Sequence, residues 1–136
     1  MKKRIMTIII IVTILVILVI FMTYQIYEKY NTKSLIENVN DISQITIYNS
    51  ETHKSININA ESEIKKKATK WNQIIVKRDK PVFDMNDPYI VVITYNANGE
   101  TLETFYTSKE EIVQYHWKLQ IIEGNDPYHE LSYEFH

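Results

Sequence analysis

The chain has 136 residues, a formal charge of −2 at neutral pH, no cysteine and two glycines. Lack of cysteine excludes disulfides, thiolate metal centres and thiol nucleophiles, and Gly99 and Gly124 alone cannot build a phosphate loop or a dinucleotide fingerprint. Lys2, Lys3 and Arg4 precede a long apolar run, so the remainder of the chain holds 12 basic against 17 acidic residues, a charge of −5 that argues against nucleic acid as a partner.

Ile5 to Met22 contains no charged residue, glycine or proline. Its 14 Ile, Leu, Val and Phe residues, at roughly −0.3 to −0.6 kcal/mol each, favour membrane insertion by on the order of −4 to −8 kcal/mol. A helix over residues 5–26 is long enough to cross the roughly 30 Å hydrocarbon layer. Thr7 and Thr13 can return their hydroxyls to carbonyls one turn back. Tyr24, Tyr27 and Tyr30 follow at helical spacing and mark the far headgroup zone. A cleaved secretory signal would have a shorter apolar stretch and a small-residue cleavage site, whereas the first alanine here is Ala60. Lys2, Lys3 and Arg4 on one flank outweigh Lys29 and Lys33 on the other, which predicts a cytoplasmic N-terminus. The expected layout is a basic flank at 1–4, a transmembrane helix at 5–26, a tether at 27–41 and an extracytoplasmic α+β domain at 42–136, with membrane lipid as a partner.

Within the tether, Ser34 and Glu37 match a capping box, and Leu35, Ile36 and Val39 suggest one short helical face. Alternation around Ile45 and Ile47, then Ile56 and Ile58, with turn formers from Asn49 to His53, predicts a hairpin. Asn59 is placed to cap a helix from Ala60 to about Asn72, whose Ile64, Ala68, Trp71 and Ile75 share one stripe. Lys77 to Pro81 reads as a loop. Asn86-Asp87-Pro88 is a turn before a central strand from Tyr89 to Tyr95, and Asn96 to Gly99 turns into a more polar strand from Glu100 to Thr107.

Residues 108–121 fit two periods. Val113, Tyr115, Trp117, Leu119 and Ile121 alternate as in a strand, while Ser108 and Glu111 with Ile112, Tyr115, His116 and Leu119 fit a capped helix; β-branched and aromatic content favours the strand. Asp126-Pro127 starts a short closing helix bearing Tyr128, Leu131 and Phe135. Asn86-Asp87-Pro88-Tyr89 recurs as Asn125-Asp126-Pro127-Tyr128, which reads as one turn chemistry used twice. The fold expected is α+β: a mostly antiparallel sheet, one main helix packed on it and a short C-terminal helix.

Catalytic chemistry is not signalled. Gly-x-Ser-x-Gly is absent, and His129-Glu130-Leu131-Ser132-Tyr133 lacks the second histidine of a zinc-protease motif. His116, His129 and His136 with Asp84, Asp87 or Glu130 have no ligand spacing and are expected to be ordinary surface groups. Glu110, Glu111, Glu100 and Glu103 are expected to face water. No catalytic residue, metal or cofactor is expected.

Two features suit binding. Lys65, Lys66, Lys67, Lys70, Lys77, Arg78 and Lys80 form a basic patch set against an acidic C-terminal third, although i,i+4 pairs such as Glu61 with Lys65 and Glu63 with Lys67 give a simpler account of the lysine-rich helix. The second is the aromatic load, nine residues from Tyr89 to Phe135: aromatics are enriched in interface cores, but a small cysteine-free domain also needs them for its own core, and most are expected to be buried.

The short basic start, the Ile-rich apolar run, Ile45-Thr46-Ile47-Tyr48-Asn49-Ser50 leading to the lysine-rich helix, and Tyr95-Asn96-Ala97-Asn98-Gly99-Glu100 resemble small single-pass or lipid-anchored proteins of low-GC Gram-positive bacteria. The resemblance is one of layout and implies location, with no activity to carry over. The sequence therefore predicts a non-enzymatic, membrane-tethered extracytoplasmic domain that binds a protein, a peptide or an envelope component. The alternative is a sensor or immunity-type factor acting on a neighbouring membrane protein through its anchor.

Overall fold

The computed structural model describes every residue except 86, 87 and 136, and the side chains of residues 28–30 also lie outside the described residues. The chain divides into two units, Met1–Asn31 and Thr32–His136. The first is a single helix, α1 (Lys2–Asn31). Residues Lys2–Tyr27 make it long and apolar enough to cross a membrane, and none of that surface is buried by the protein. Thr7, Thr13 and Thr23 donate their hydroxyls to the carbonyls of Lys3, Ile9 and Val19, each at 2.8 Å, so their polar atoms are satisfied within the helix. Tyr24 and Tyr27 are exposed; the expectation for the Tyr30 side chain lies outside the described residues.

The second unit is built on one eight-stranded antiparallel sheet. Its strands are β1 (Thr32–Ser34), β2 (Gln44–Asn49), β3 (Lys54–Ile58), β4 (Ile75–Pro81), β5 (Ile90–Tyr95), β6 (Thr101–Thr107), β7 (Ile112–Gln114) and β8 (Trp117–Glu123), in the spatial order β1-β4-β8-β7-β6-β5-β2-β3. Helices α2 (Glu61–Asn72) and α3 (Tyr128–Tyr133) supply Ile64, Ala68, Trp71 and Leu131 to a core shared with one face of the sheet. The α+β class, the antiparallel sheet and both helices agree with the sequence.

Register explains why that face is apolar. Ile56, Ile47, Val92 and Phe105 lie opposite one another across β3, β2, β5 and β6, and strict alternation turns all four the same way. Phe105 is fully buried and meets Trp71 of α2 edge to face, with ring centres 5.6 Å apart. The other face carries the row Tyr48, Val91, Tyr106, Val113, Lys118 and Lys80.

Several local expectations are corrected. The stretch read as a tether enters the fold: Thr32–Ser34 pairs with β4, and Leu35 and Ile36 are fully buried, so the folded unit begins at Thr32 and not at residue 42. Its short helical face is replaced by that strand and one 3-10 turn at Val39–Asp41. Lys77–Pro81 is strand, not loop; its polar side chains are tolerated because most of them face water. Helix α2 is capped by Ala60 without a side-chain bond, so Asn59 is not its cap. Residues 112–123 are strand as expected but fold into a hairpin, with the break at Tyr115-His116.

The Asn96–Gly99 turn forms as read. The Asn96 side chain accepts from the amides of Asn98 and Glu100, and Gly99 takes the left-handed φ of +80°. At the second Asn-Asp-Pro-Tyr, Asp126 Oδ1 accepts from the Tyr128 amide at 2.9 Å and from the Thr107 hydroxyl at 2.8 Å. The turn at Asn86-Asp87 lies outside the described residues.

Candidate functional site

After β4 the chain crosses the face of the sheet that carries no helix, and beneath it lies a cavity of about 520 Å³. Its floor is Thr104 and Tyr106 of β6 and Val113 of β7; Val82, Phe83, Asp84 and Met85 form one wall, with Tyr89, Tyr115 and His116 around the rim. The rings of Tyr89 and Tyr106 meet edge to face at 5.8 Å. The Val82 amide donates to the His116 carbonyl at 2.8 Å, which ties the crossing segment to the β7–β8 turn. Phe83 is 90% exposed and Tyr115 58% exposed. An apolar hollow with a few polar groups at its rim is the usual form of a small binding site.

The aromatics correct the expectation of general burial: only Phe105 is fully buried, Tyr115 and Tyr133 are exposed, and the other six are partly buried. The reason is the sheet's two faces, since Tyr106 alternates away from the core that Phe105 fills.

The turn at the rim is strained. Tyr115 and His116 form a two-residue hairpin loop with φ of 52° and 66°, the left-handed pair of a type I′ turn that Asn-Gly occupies at least cost. A left-handed residue with a Cβ costs roughly 1–2 kcal/mol. Replacing the pair by Asn-Gly should therefore raise stability by about 1–2 kcal/mol in urea denaturation while removing both rim side chains. An unchanged or lowered stability would show that the turn's side chains contribute more to the fold than its backbone strain takes away.

On the helix-covered face of the same strands lies a buried polar cluster. Glu103 is 5% exposed, against the expectation that it faces water, and its Oε1 accepts the amides of Glu37 at 2.9 Å and Asn38 at 3.1 Å. Lys33 donates to Gln114 Oε1, Gln114 Nε2 donates to the Leu35 carbonyl at 3.3 Å, and the Lys33 ammonium lies 5.3 Å from the centre of the Tyr115 ring. This cluster fastens the segment just after α1 to the centre of the sheet. Burial pushes the Lys33 pKa below its ordinary 10.5, with Glu37 and Glu103 opposing the shift. The unfolded chain then holds that proton more tightly, so protonation disfavours folding below the folded pKa, and this penalty fades as pH rises towards 10.5. Relative to Lys33→Met, the wild type should gain stability on titration through that window; parallel urea midpoints for the two proteins would contradict this.

The expected basic patch falls on two elements. On α2, Lys65 and Lys66 are exposed, while Lys67 pairs with Glu134 and Lys70 with Glu130, both at the C-terminal end of the chain and not with α2's own glutamates. On β4, Lys77 lies opposite Gln120 and Lys80 opposite Lys118, and the Arg78 guanidinium stacks 5.2 Å from the centre of Trp117. A second cavity of about 610 Å³, between the end of α2 and residues 124–130, is bridged by the Lys70–Glu130 pair. No group of three His, Asp or Glu side chains able to hold a metal occurs among the described residues; Asp87 and His136 lie outside them.

Sequence reasoning missed the 520 Å³ cavity and Glu103. A signal existed for the first: Val82, Phe83 and Met85 are large apolar side chains between Pro81 and Pro88, in a stretch with no strand or helix period. The arrangement is an α+β domain with an aromatic-rimmed hollow on its uncovered face, carried by a chain that also holds one long apolar helix. No family model, curated protein or solved structure matches it.

Proposed function

We propose that the protein is a single-pass, membrane-tethered binding domain. Helix α1 spans the bilayer over residues 5–26, Lys2, Lys3 and Arg4 keep the N-terminus in the cytoplasm, and the α+β domain stands outside. The domain is non-enzymatic and binds a protein, a peptide or an envelope component in the hollow beneath Phe83. The observation that carries this reading is the 26-residue apolar helix whose surface the protein leaves wholly uncovered, since such a surface requires lipid or another protein around it. The aromatic-rimmed cavity supports the binding half.

The test is protease treatment of intact cells carrying a C-terminal epitope, combined with a photo-crosslinking side chain at Thr104 on the cavity floor. Loss of the epitope on treatment and capture of a defined adduct support the reading. An epitope shielded in intact cells overturns the topology, and the same adducts from a probe at Asn125, in the distant β8–α3 loop, overturn the site.

A second reading, a sensor or immunity-type factor acting through its anchor, is favoured by one feature: β1 starts on the residue after α1 ends, so no spacer separates the two. Exchanging residues 5–22 for an unrelated apolar helix leaves function intact under the first reading and abolishes it under the second.

A further inference from the structure

We propose that β3 is the seam of a homodimer, pairing antiparallel with β3 of a second copy to join two eight-stranded sheets into one; the pairing involves the folded unit alone. β1 and β3 are the outermost strands, and the two edges differ. β1 is three residues long, and such shortness is itself a protection against edge pairing. β3 runs for five residues in unbroken register with β2, without proline, and no other segment among the described residues bonds to its outer backbone.

Register shows which groups that edge offers. The Ser50 amide donates to the Tyr89 carbonyl at 2.9 Å, one step beyond the pairing of Asn49 with Ile90. Bonded and non-bonded pairs alternate along an antiparallel ladder, so Thr46 and Tyr48 exchange bonds with β5, while Ile45, Ile47 and Asn49 exchange them with Ile58, Ile56 and Lys54. Ser55 and Asn57 therefore aim both backbone groups outward. Their side chains stand exposed on the uncovered face, and Ile56 between them is half-buried on the helix-covered face.

This edge is complementary to itself. A two-fold axis through Ile56, perpendicular to the sheet, sets Ser55 of each copy opposite Asn57 of the other and closes four backbone bonds. It brings the two Ile56 side chains together as a non-bonded pair, the closer kind, with about 4.5 Å between Cα atoms, and each covers apolar surface that the other leaves open. Lys54 of one copy comes beside Ile58 of the other, next to Glu61 and Glu63 at the start of α2. Within one chain the strand's length, about 13 Å, separates Lys54 from that acidic turn, so the attraction arises only between copies. The other charged groups nearby point elsewhere. Glu51 lines a small hollow with Pro88, Lys109 and Glu110, and His53 Nδ1 shares a hydrogen bond of 3.1 Å with the Tyr48 hydroxyl. Lys65 and Lys66 follow α2 away from the seam, towards the contact of Trp71 with Phe105 on β6.

The test uses the full chain in detergent micelles, where the lack of native cysteine makes single substitutions unique reporters. Ser55→Cys and Asn57→Cys chains are oxidised alone and as a mixture. The expected result is a disulfide-linked dimer that forms several-fold faster in the mixture: paired positions lie about 5.5 Å apart between Cα atoms, within disulfide reach, whereas like positions lie about 7–8 Å apart. Ser55→Pro deletes an outward N–H without touching the ladder to β2. It should weaken association in analytical ultracentrifugation roughly tenfold at an unchanged urea midpoint. Lys54→Glu should weaken association as well, and adding Glu61→Lys should restore it.

A chain that stays monomeric at every concentration overturns the proposal. So does a dimer that Ser55→Pro leaves intact, or a mixture that links no faster than the single variants, since association would then run through α1 or another surface. A lowered urea midpoint for Ser55→Pro would place that N–H in the ladder to β2 and overturn the outward register. Failure of Glu61→Lys to restore the Lys54→Glu chain overturns the ion pair across the seam.

Discussion

Phe105→Ala is expected to destabilise the domain by about 3–5 kcal/mol, the range for deleting a buried aromatic side chain. Phe105 is fully buried at the middle of the sheet, in register with Val92 on β5, and its ring meets Trp71 of α2 edge to face. Removing it leaves a hollow that strands cannot close, because β6 is held by ladders to β5 on one side and β7 on the other. It also removes the contact that docks α2, worth about 0.5–1.5 kcal/mol beyond area burial. The check is urea denaturation of the full chain in detergent micelles, followed by tryptophan emission. Phe105→Leu should cost clearly less, since it retains most of the volume. A Phe105→Ala protein within about 1 kcal/mol of wild type would mean that α2 is not fastened through this pair.

The second large effect is expected at Glu103. Glu103→Ala removes the acceptor for the amides of Glu37 and Asn38 and leaves the half-buried Lys33 without a nearby buried carboxylate. Hydrogen bonds to a charged group are worth about 1.5–3 kcal/mol each, and water can reach part of the exposed Glu37–Asn38 backbone, so a net loss of about 2–4 kcal/mol is expected. The location of the damage discriminates as well as its size. Hydrogen exchange should lose protection first at Glu37 and Asn38, then through Leu35 and Ile36, while the β2–β3 ladder stays protected. Glu103→Gln, which keeps one carbonyl oxygen in place, should lie between alanine and wild type. Uniform loss of protection over the whole sheet would show that residues 35–38 are not an independent fastening.

These two neighbours in sequence illustrate how unevenly the fold could be read. Phe105 sits in an alternating strand, and period-two patterning alone turns it inward. Glu103 has the same parity and is therefore turned inward too, yet a carboxylate gives no sign of being buried until its partners are known. Those partners, the amides of Glu37 and Asn38, lie 66 and 65 residues away. Separation along the chain likewise hid β1 and β4, whose partners Thr32 and Lys77 are far apart in sequence. Thr32–Ser34 is too short to show a period, and Lys77–Pro81 is too polar, so each is recognisable as strand only beside the other. The candidate cavity was illegible for a related reason: its floor comes from β6 and β7 and its wall from the segment after β4.

By itself the sequence determined the apolar helix and its basic flank, the α+β class, the first hairpin, helix α2, the central strand and the Asn-Gly turn. Each of these is encoded locally, in composition or in a period of 3.6 or 2, and needs no distant partner to be recognised. Only the tertiary structure decided where the domain begins, which carboxylate is buried, how residues 112–123 bend back at Tyr115-His116, and which aromatics line the uncovered face. Those outcomes depend on strand pairings between segments far apart in the chain, and pairing energy is set by the partner a strand meets rather than by the residues it contains.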